Sequence, residues 1–560
     1  MDKNKNDTLP LIKFSKNPLF LLTLITIGIT IYLLAKQIYI GVPYYDVFVY
    51  LNNALTFSGI PVGSVMYLSP LIPFLTSLFF RAGYISSNAI FIVDAIIFVF
   101  GVIGFYLLLK QRFNTLESFA GSLIFISFPL IFTWAVSGSI DVPGISFSIW
   151  AIYFLIRGVK NDSKYILIVF PMVAVAFLAR YTSAAILFPV VLYLLINGNL
   201  WENIKKSFLS ILAVLALIIP VLSYMSFKFG TLTPIITLFI SNISGFGTGI
   251  TDLSYNPDKL YFLKNMLNYL SVGPIKGPYV AMQNPSQGEP SILSYILVPI
   301  VLIGLSIYIY TILKKKIENI NKSNLKKNFL YGLLLIVLVI VCLLSLDTNL
   351  FIVSEIIAFM AIFVGYQFLK DTHIKNLEID FLFLSWFLAF LIFHSMLPVK
   401  VDRYLITMVP PLAYFIILGL TVFLNKLDLK LKKEHLKPGL ICLIIGLMIL
   451  SSTTVTHIGH SEKRGYVHYM TLACDQLTMY DPHYQEKIIY SDYNPAVTWI
   501  LKKEVNFGVP RLYGSPEKFS IFLKNANATY YIDALTDPKV EIDGYHRIPA
   551  QDEVAIYEKD

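Results

Sequence analysis

Long runs of apolar residues, separated by short polar segments, dominate this chain. Runs of about 18 or more apolar residues can cross a bilayer as helices, and continuous rather than alternating apolarity favours helices over a barrel. We predict about thirteen spans, with approximate limits 18–39, 88–109, 117–135, 144–157, 165–178, 183–196, 207–227, 292–313, 329–346, 350–369, 380–397, 404–424 and 439–456. Three of these, 144–157, 165–178 and 183–196, are short and need a packed surround or a thinned bilayer.

The distribution of Lys and Arg predicts the orientation of the spans. With the N-terminus inside, the cytoplasmic segments hold about 24 Lys and Arg residues, whereas the outer segments before the C-terminal region hold about nine. Cytoplasmic loops carry this excess in membrane proteins. The odd number of spans then places the C-terminus outside.

The outer segment 40–87 follows the first span and contains one acid near the membrane boundary, Asp46. A short amphipathic run, 47–57, comes next, and we expect this loop to lie along the bilayer. After a Gly/Pro break, the run 69–80 is about half as long as a span, which indicates a re-entrant or surface helix.

Two further outer regions are longer than tight turns. In the segment 228–291, the apolar spacing from Leu260 to Leu270 predicts one helix lying on the membrane. After about residue 457, strand-like and helix-like pieces alternate, which predicts a small α/β domain. These pieces are KIIYSD (487–492), AVTWILKKEV (496–505), PEKFSIFLKN (516–525), ATYYIDA (528–534) and EVAIYEK (553–559).

Composition agrees with this pattern. The chain has 560 residues, of which 56% are hydrophobic and 14% charged, whereas soluble domains are about 25% charged. The sequence therefore predicts an all-α polytopic membrane domain, 1–456, followed by a small extracytoplasmic α/β domain, 457–560. The net charge of +9 mainly reflects topology. No nucleic-acid motif is present, and three scattered cysteines imply no disulfide framework.

Two outer acids are candidates for chemistry. Asp46 could be a general base that deprotonates an acceptor at the membrane surface; the alternative is a solvated interface acid. Asp141 lies in the outer loop 136–143, where the fourth span begins, and could orient the acceptor or Asp46. Its alternative is an ordinary first-turn acid stabilised by the helix dipole. If the two loops converge, both carboxylates face one cleft.

Cations on the outer side run against the positive-inside bias. Arg180-Tyr181 lies between two short spans, and Lys400 and Arg403 precede the twelfth span. Arg presents a planar fork of donors that suits a lipid phosphate. The alternatives are snorkelling or an ion pair between Arg403 and Asp402.

Three polar residues close to or within the spans have a structural interpretation as well as a functional one. His394, near a span end, is more often structural. Asp94 and Glu355 lie inside apolar runs, where structural pairing is favoured over an ion path. We find neither a DxD motif at the end of the first outer loop nor a His/Cys cluster with zinc spacing, so no metal site is predicted.

Several stretches together resemble the membrane glycosyltransferases of the C superfamily. They are one Asp after the first span, SPLIPFL, a second Asp opening the fourth span, ARYTSAAILFPVVLYLL and KVDRYLITMVPPLAYFIILGL. Within this superfamily the chain resembles the dolichyl-phosphate-mannose protein mannosyltransferases and the lipid A aminoarabinose transferases, over roughly 18–424. The paired metal-binding acids and the Trp-Trp-Asp motif of the oligosaccharyltransferase branch are missing.

The resemblance implies the following roles. Asp46 matches the catalytic Asp and Asp141 the second acid, while Arg180 with Tyr181 matches a basic motif that contacts the donor phosphate. Lys400 and Arg403 are further phosphate contacts. The implied enzyme is a mannosyltransferase-like hexosyltransferase of the plasma membrane that works on the outer face. It takes a sugar from a polyprenyl- or dolichyl-phosphate donor without a metal or other cofactor. The acceptor is a protein, a glycan or a lipid.

The donor's lipid tail would need a groove between spans, which the short helices 144–157 and 183–196 could provide. The competing hypothesis is a transporter or flippase of lipid-linked sugars, which would need coupling residues inside the spans and usually two similar halves. A noncatalytic membrane scaffold would leave the outer acids and cations unexplained.

Overall fold

A computed structural model describes most of the chain. The described residues are 17–63, 68–197, 200–230, 256–275, 283–319, 325–346, 351–397, 399–427, 436–458, 466–535, 539–549 and 554–560. The middle of the outer segment 228–291 therefore lies outside the described residues.

The described residues before position 200 form nine α-helices. They are α1 (Pro18–Ile40), α2 (Tyr45–Ser58), α3 (Leu71–Arg81), α4 (Asn88–Leu109), α5 (Thr115–Ser127), α6 (Pro129–Trp134), α7 (Asp141–Lys160), α8 (Ile166–Ala179) and α9 (Leu187–Ile196). A 3₁₀-helix, Tyr181–Ile186, leads into α9. The predicted surface elements 47–57 and 69–80 thus form α2 and α3.

The second half of the membrane domain contributes nine further described helices. They are α10 (Leu200–Phe229), α11 (Tyr261–Lys264), α12 (Met266–Leu270), α13 (Ile292–Glu318), α14 (Leu325–Ser345), α15 (Phe351–Leu369), α16 (Leu377–Met396), α17 (Val409–Lys426) and α18 (Leu436–Ile458). A 3₁₀-helix, Asp402–Met408, precedes α17. The prediction of one helix over 260–270 is wrong, because the backbone breaks at Asn265 into two short helices, α11 and α12.

Ten described helical segments are long and apolar enough to cross a membrane. All thirteen predicted spans coincide with helices, but those at 117–135, 165–178 and 183–196 are shorter. The first of these is divided because Pro129, which lacks an N–H, begins a new helix after Phe128. The predicted short span 144–157 is instead a 20-residue helix, α7. The chain is a multi-pass membrane protein, while the exact number of spans and their orientation stay predictions.

The C-terminal part forms a small α/β unit, as predicted. Its elements are α19 (Tyr466–Tyr480), β1 (Ile489–Ser491), α20 (Asn494–Leu501), β2 (Asn506–Phe507), α21 (Pro516–Asn525), β3 (Tyr530–Asp533), β4 (Tyr545–Ile548) and β5 (Ala555–Lys559). The strand order is β2-β1-β3-β5-β4, with β1 parallel to β2 and β3, and β5 antiparallel to β3 and β4. The pieces predicted from the sequence did not include α19, β2 or β4. The boundary near residue 457 stays a prediction.

Helix α2 packs against this C-terminal unit. Its buried apolar side chains share one core with those of α19, α20 and the sheet. The Asn52 amide donates a hydrogen bond to the Pro495 carbonyl at 2.9 Å, and the ring of Tyr493 lies against those of Tyr45 and Phe48. The C-terminal unit therefore helps to fix the helix that carries Asp46.

Candidate active site

Asp46 is the second residue of α2 and forms an ion pair with Arg403. The Arg403 Nη2 lies 2.6 Å from Asp46 Oδ2. The guanidinium carbon of Arg403 also lies 5.1 Å from the centre of the Tyr44 ring and 5.7 Å from that of Trp134. Aromatic faces attract a cation at such distances, so the two rings help to hold Arg403 against Asp46. The predicted alternative pairing of Arg403 with Asp402 is wrong.

Asp141 opens α7 and forms a second ion pair, with Arg180. The Ser139 hydroxyl donates a hydrogen bond to Asp141 Oδ2 at 2.5 Å. A Cβ at position 144 would lie 2.8 Å from the Arg180 Cβ, so Gly144 permits the approach of Arg180 to α7. Arg180 also lies 5.5 Å from the centre of the Tyr404 ring, and Tyr404 is the neighbour of Arg403. The two pairs are therefore adjacent.

The loops that are predicted to lie outside converge at this place. Gly138, in the loop before α7, has a φ of +83°, and a Cβ there would lie 2.7 Å from a methyl group of Val47, next to Asp46. The buried Asp94 accepts a hydrogen bond from the Gly138 N–H at 2.9 Å and so holds this loop. Tyr181 donates from its hydroxyl to the carbonyl of Leu68, in the first outer loop, at 3.1 Å. The structure thus brings together segments that are far apart in sequence.

The two carboxylates differ in accessibility. The Asp46 side chain is 32% exposed, whereas that of Asp141 is 3% exposed. Arg403 contacts Asp46 through Oδ2, and no hydrogen bond to Asp46 Oδ1 is found among the described residues. Asp46 can therefore receive a proton from a bound molecule, while Asp141 is placed to hold Arg180.

Lys400 lies apart from both ion pairs. Its ammonium donates to the carbonyls of Ser395, at 2.9 Å, and Leu397, at the end of α16. Burial lowers the pKa of Lys400 to about 8. A cation is favourable at the C-terminal end of a helix. This conformation assigns Lys400 to the helix end, and its contact with a donor phosphate stays a prediction.

Asp402 and His394 have structural partners. The Asp402 carboxylate accepts hydrogen bonds from the hydroxyls of Tyr261 and Tyr269 and from the backbone of Ser286. His394 is buried, its ring stacks on that of Tyr404, and its Nε2 lies 3.2 Å from the Thr407 hydroxyl. Both residues therefore support the 3₁₀-helix that positions Arg403.

An apolar cavity of about 600 Å³ begins beside the ion pairs. Its walls come from the segment Tyr181–Ile196 and from α15, and its lining includes Tyr181, Phe188, Phe359 and Phe393. Glu355 also lines this cavity. The structural pairing predicted for Glu355 is not found among the described residues, where its Oε1 has no hydrogen-bond partner. The predicted role of 183–196 as one wall of a groove agrees with this placement, whereas α7 does not line the cavity.

Sequence reasoning missed the aromatic and hydroxyl side chains around the ion pairs. Tyr44, Trp134 and Ser139 hold the charged groups, and burial raises the pKa of Tyr44, which therefore stays uncharged. The adjacency of Tyr44 to Asp46 was a possible signal, but nothing local marks Trp134. Within the described ranges, no three His, Cys, Asp or Glu side chains lie close enough together to hold a metal ion.

Comparison with known proteins supports the resemblance found in the sequence. The family model described as dolichyl-phosphate-mannose-protein mannosyltransferase matches residues 68–224, which include Asp141, Arg180 and Tyr181. A search of the curated proteins found no match.

Two solved structures share the fold. ArnT from Cupriavidus metallidurans bound to undecaprenyl phosphate superposes with a TM-score of 0.54 at 8% identity, covering 95% of this chain and 97% of that one. The oligosaccharyltransferase from Archaeoglobus fulgidus in the apo form gives a TM-score of 0.50 at 12% identity, covering 93% of this chain and 70% of that one. At such identities the likeness concerns the fold. With the family model, it confirms the resemblance to the C superfamily of membrane glycosyltransferases.

Proposed function

We propose that this protein is a membrane glycosyltransferase that transfers a sugar from a polyprenyl- or dolichyl-phosphate donor to an acceptor on the outer face of the membrane, without a metal ion. The observation that carries the proposal is the pair of carboxylate–guanidinium contacts, Asp46–Arg403 and Asp141–Arg180, beside an apolar cavity. The Asp46–Arg403 pair supplies an accessible base. The guanidinium groups suit the phosphate of a lipid phosphate, and the apolar cavity suits its hydrocarbon tail.

Asp46 acts as the general base. As the acceptor's oxygen or nitrogen attacks the anomeric carbon, its proton passes to the open carboxylate oxygen of Asp46. The bond between the anomeric carbon and the phosphate oxygen breaks, and the polyprenyl phosphate leaves with the bonding electrons. Direct displacement of this kind inverts the anomeric centre.

The guanidinium groups stabilise the leaving phosphate. Arg403 contacts Asp46 through one nitrogen, Nη2, so we expect the rest of its guanidinium group to donate to a phosphate oxygen. Preorganised donors aimed at developing negative charge are a major source of rate enhancement. Asp141 acts through Arg180, whose position it fixes.

The cavity holds the lipid tail of the donor. It is apolar and starts at Tyr181, the neighbour of Arg180, so a phosphate near the guanidinium groups can leave its hydrocarbon chain in the cavity. A structural relative was solved with undecaprenyl phosphate, which supports this class of donor. The matched mannosyltransferase family makes a hexose such as mannose the first sugar to test.

The test is sugar release from a radiolabelled polyprenyl-phosphate sugar by the purified protein, with and without chelator, compared with Asp46→Asn. We expect chelator-resistant release that disappears in the variant. Full release by folded Asp46→Asn would overturn the role of Asp46. Chelator-sensitive release would overturn metal independence, and the absence of release with every donor would favour a transporter of lipid-linked sugars.

A further inference from the structure

Two side-chain oxygen atoms of residues that line the apolar cavity are buried and have no hydrogen-bond partner among the described residues. They are Glu355 Oε1, on α15, and Thr182 Oγ1, in the 3₁₀-helix after Arg180. The Glu355 residue is only 5% exposed. Most of the remaining lining is aliphatic or aromatic, including Leu187, Phe188 and Ile356.

A hydrocarbon chain in the cavity would leave both of these oxygen atoms without a hydrogen-bond partner. Burying a charged carboxylate without a partner is very costly, so Glu355 is uncharged there and offers one O–H donor. A buried polar group without a partner also costs free energy, which a ligand oxygen can recover by hydrogen bonding. The occupant of the cavity is therefore an amphiphile that brings an oxygen atom to Glu355 and Thr182.

The position of the cavity identifies the kind of amphiphile. Tyr181 lines it and follows Arg180, while Phe393 lines it and precedes His394, whose ring stacks on Tyr404. Glu355 is the fifth residue of α15, close to one end of that helix. An anionic head beside Arg180 therefore lies at the cavity mouth and leaves its single hydrocarbon chain among the apolar walls.

We propose that uncharged Glu355 and Thr182 form a polar subsite that donates hydrogen bonds to a head-group oxygen of a prenyl phosphate bound in the cavity. The subsite would select a prenyl phosphate over a plain hydrocarbon and over two-chain phospholipids. This inference rests on the proposed function for the identity of the lipid, but it concerns binding and is tested without sugar transfer.

The experiment measures binding of a radiolabelled prenyl phosphate to the full-length protein in phosphatidylcholine nanodiscs. We expect Glu355→Leu to weaken binding at least about fivefold, because it removes the donor and keeps an apolar wall. Glu355→Gln, which retains a donor, should stay within about twofold of the unmodified protein. Met360→Leu, on an exposed face of α15 outside the cavity lining, is the control and should leave binding unchanged.

Competition by unlabelled lipids identifies the occupant. A prenyl phosphate should compete strongly and a prenyl alcohol more weakly, while squalene and phosphatidylglycerol should compete poorly. Unchanged binding in Glu355→Leu would overturn the inference, as would equal competition by phosphatidylglycerol, which would identify a bilayer phospholipid as the occupant. If Glu355→Leu does not fold, Thr182→Val provides the same test.

Failure of this inference and failure of the proposed function are distinguishable. If sugar is released but substitution of Glu355 and Thr182 does not change lipid binding, the proposed glycosyltransferase function is retained and the polar subsite is rejected. If binding of prenyl phosphate depends on Glu355 but no donor releases its sugar, the polar subsite is retained and the proposed transferase function is rejected.

Discussion

The two carboxylate–guanidinium pairs contain the same chemical groups in different surroundings. In the Asp46–Arg403 pair both side chains are partly exposed, whereas in the Asp141–Arg180 pair neither is more than 6% exposed. Removing one partner of a buried ion pair strongly destabilises the fold, because the other charge is then left buried without compensation. An exposed pair can exchange its partner for a substrate at little cost. The difference supports the proposal that Asp46 takes up the proton and that Asp141 holds Arg180 in position.

The sharpest test of this difference is Asp46→Asn. Because an amide cannot accept the acceptor's proton as a base, we expect the rate of transfer to fall by about 10²–10⁴. The midpoint of thermal unfolding in detergent should change little, since the side chain is partly exposed. A large loss of stability with this variant would contradict the assignment.

Asp141→Ala should have the opposite profile. Removing one partner of a buried ion pair is expected to destabilise the protein by about 3–5 kcal/mol, because Arg180 stays charged and buried. Thermal unfolding monitored with a thiol-independent dye measures the loss. An unfolding midpoint equal to that of Asp46→Asn would show that the two pairs do not differ as described.

The double variant Asp141→Ala/Arg180→Met distinguishes a structural role of Arg180 from a role in binding the donor. Replacing both charges by apolar groups should recover much of the stability lost in Asp141→Ala. It should also raise the KM for the lipid donor, since Arg180 no longer contacts the phosphate. Recovery of stability with an unchanged donor KM would assign Arg180 a structural role alone.

Asn52→Ala tests how firmly the C-terminal unit holds the helix of Asp46. The change leaves the buried carbonyl of Pro495 without its donor and should cost about 1–3 kcal/mol, measured by thermal unfolding. Tyr45→Phe is the matched control, because it removes a longer, exposed hydrogen bond to Asn494. Equal effects of the two changes would indicate that the buried contact contributes little.

The smallest expected effect concerns Lys400, which belongs to neither pair. Burial lowers its pKa to about 8 from an ordinary value of 10.5, so between these values the unfolded chain binds a proton that the folded protein lacks. Stability therefore rises with pH across this window. The unfolding midpoint of the unmodified protein, relative to that of Lys400→Met, should increase from pH 8 to pH 10. A constant difference would contradict the lowered pKa.

The features that could be predicted from the sequence are those that leave a local pattern of apolar and charged residues. The apolar helices, the segments that form α2 and α3 and the C-terminal α/β unit all follow from local patterns, and Asp46 and Asp141 attract notice as isolated acids. Local patterns do not reveal which cation faces which acid. Arg403 is 357 positions from Asp46, and its pairing depends on how the spans pack. The break at Asn265 and the strand β4 were missed because neither has a strong local signal.

The shared core of α2 and the C-terminal unit has a consequence for the order in which the protein is made. The helix that bears Asp46 is synthesised long before the residues of α19, α20 and β3 against which its apolar side chains pack. Contacts of such large sequence separation form slowly and late. A nascent chain that ends before Tyr466 should therefore leave the segment 45–58 sensitive to protease, whereas the released full-length chain should protect it. The proposed site would thus be assembled only after the C-terminal unit has been synthesised, and we expect chains that lack this unit to be inactive.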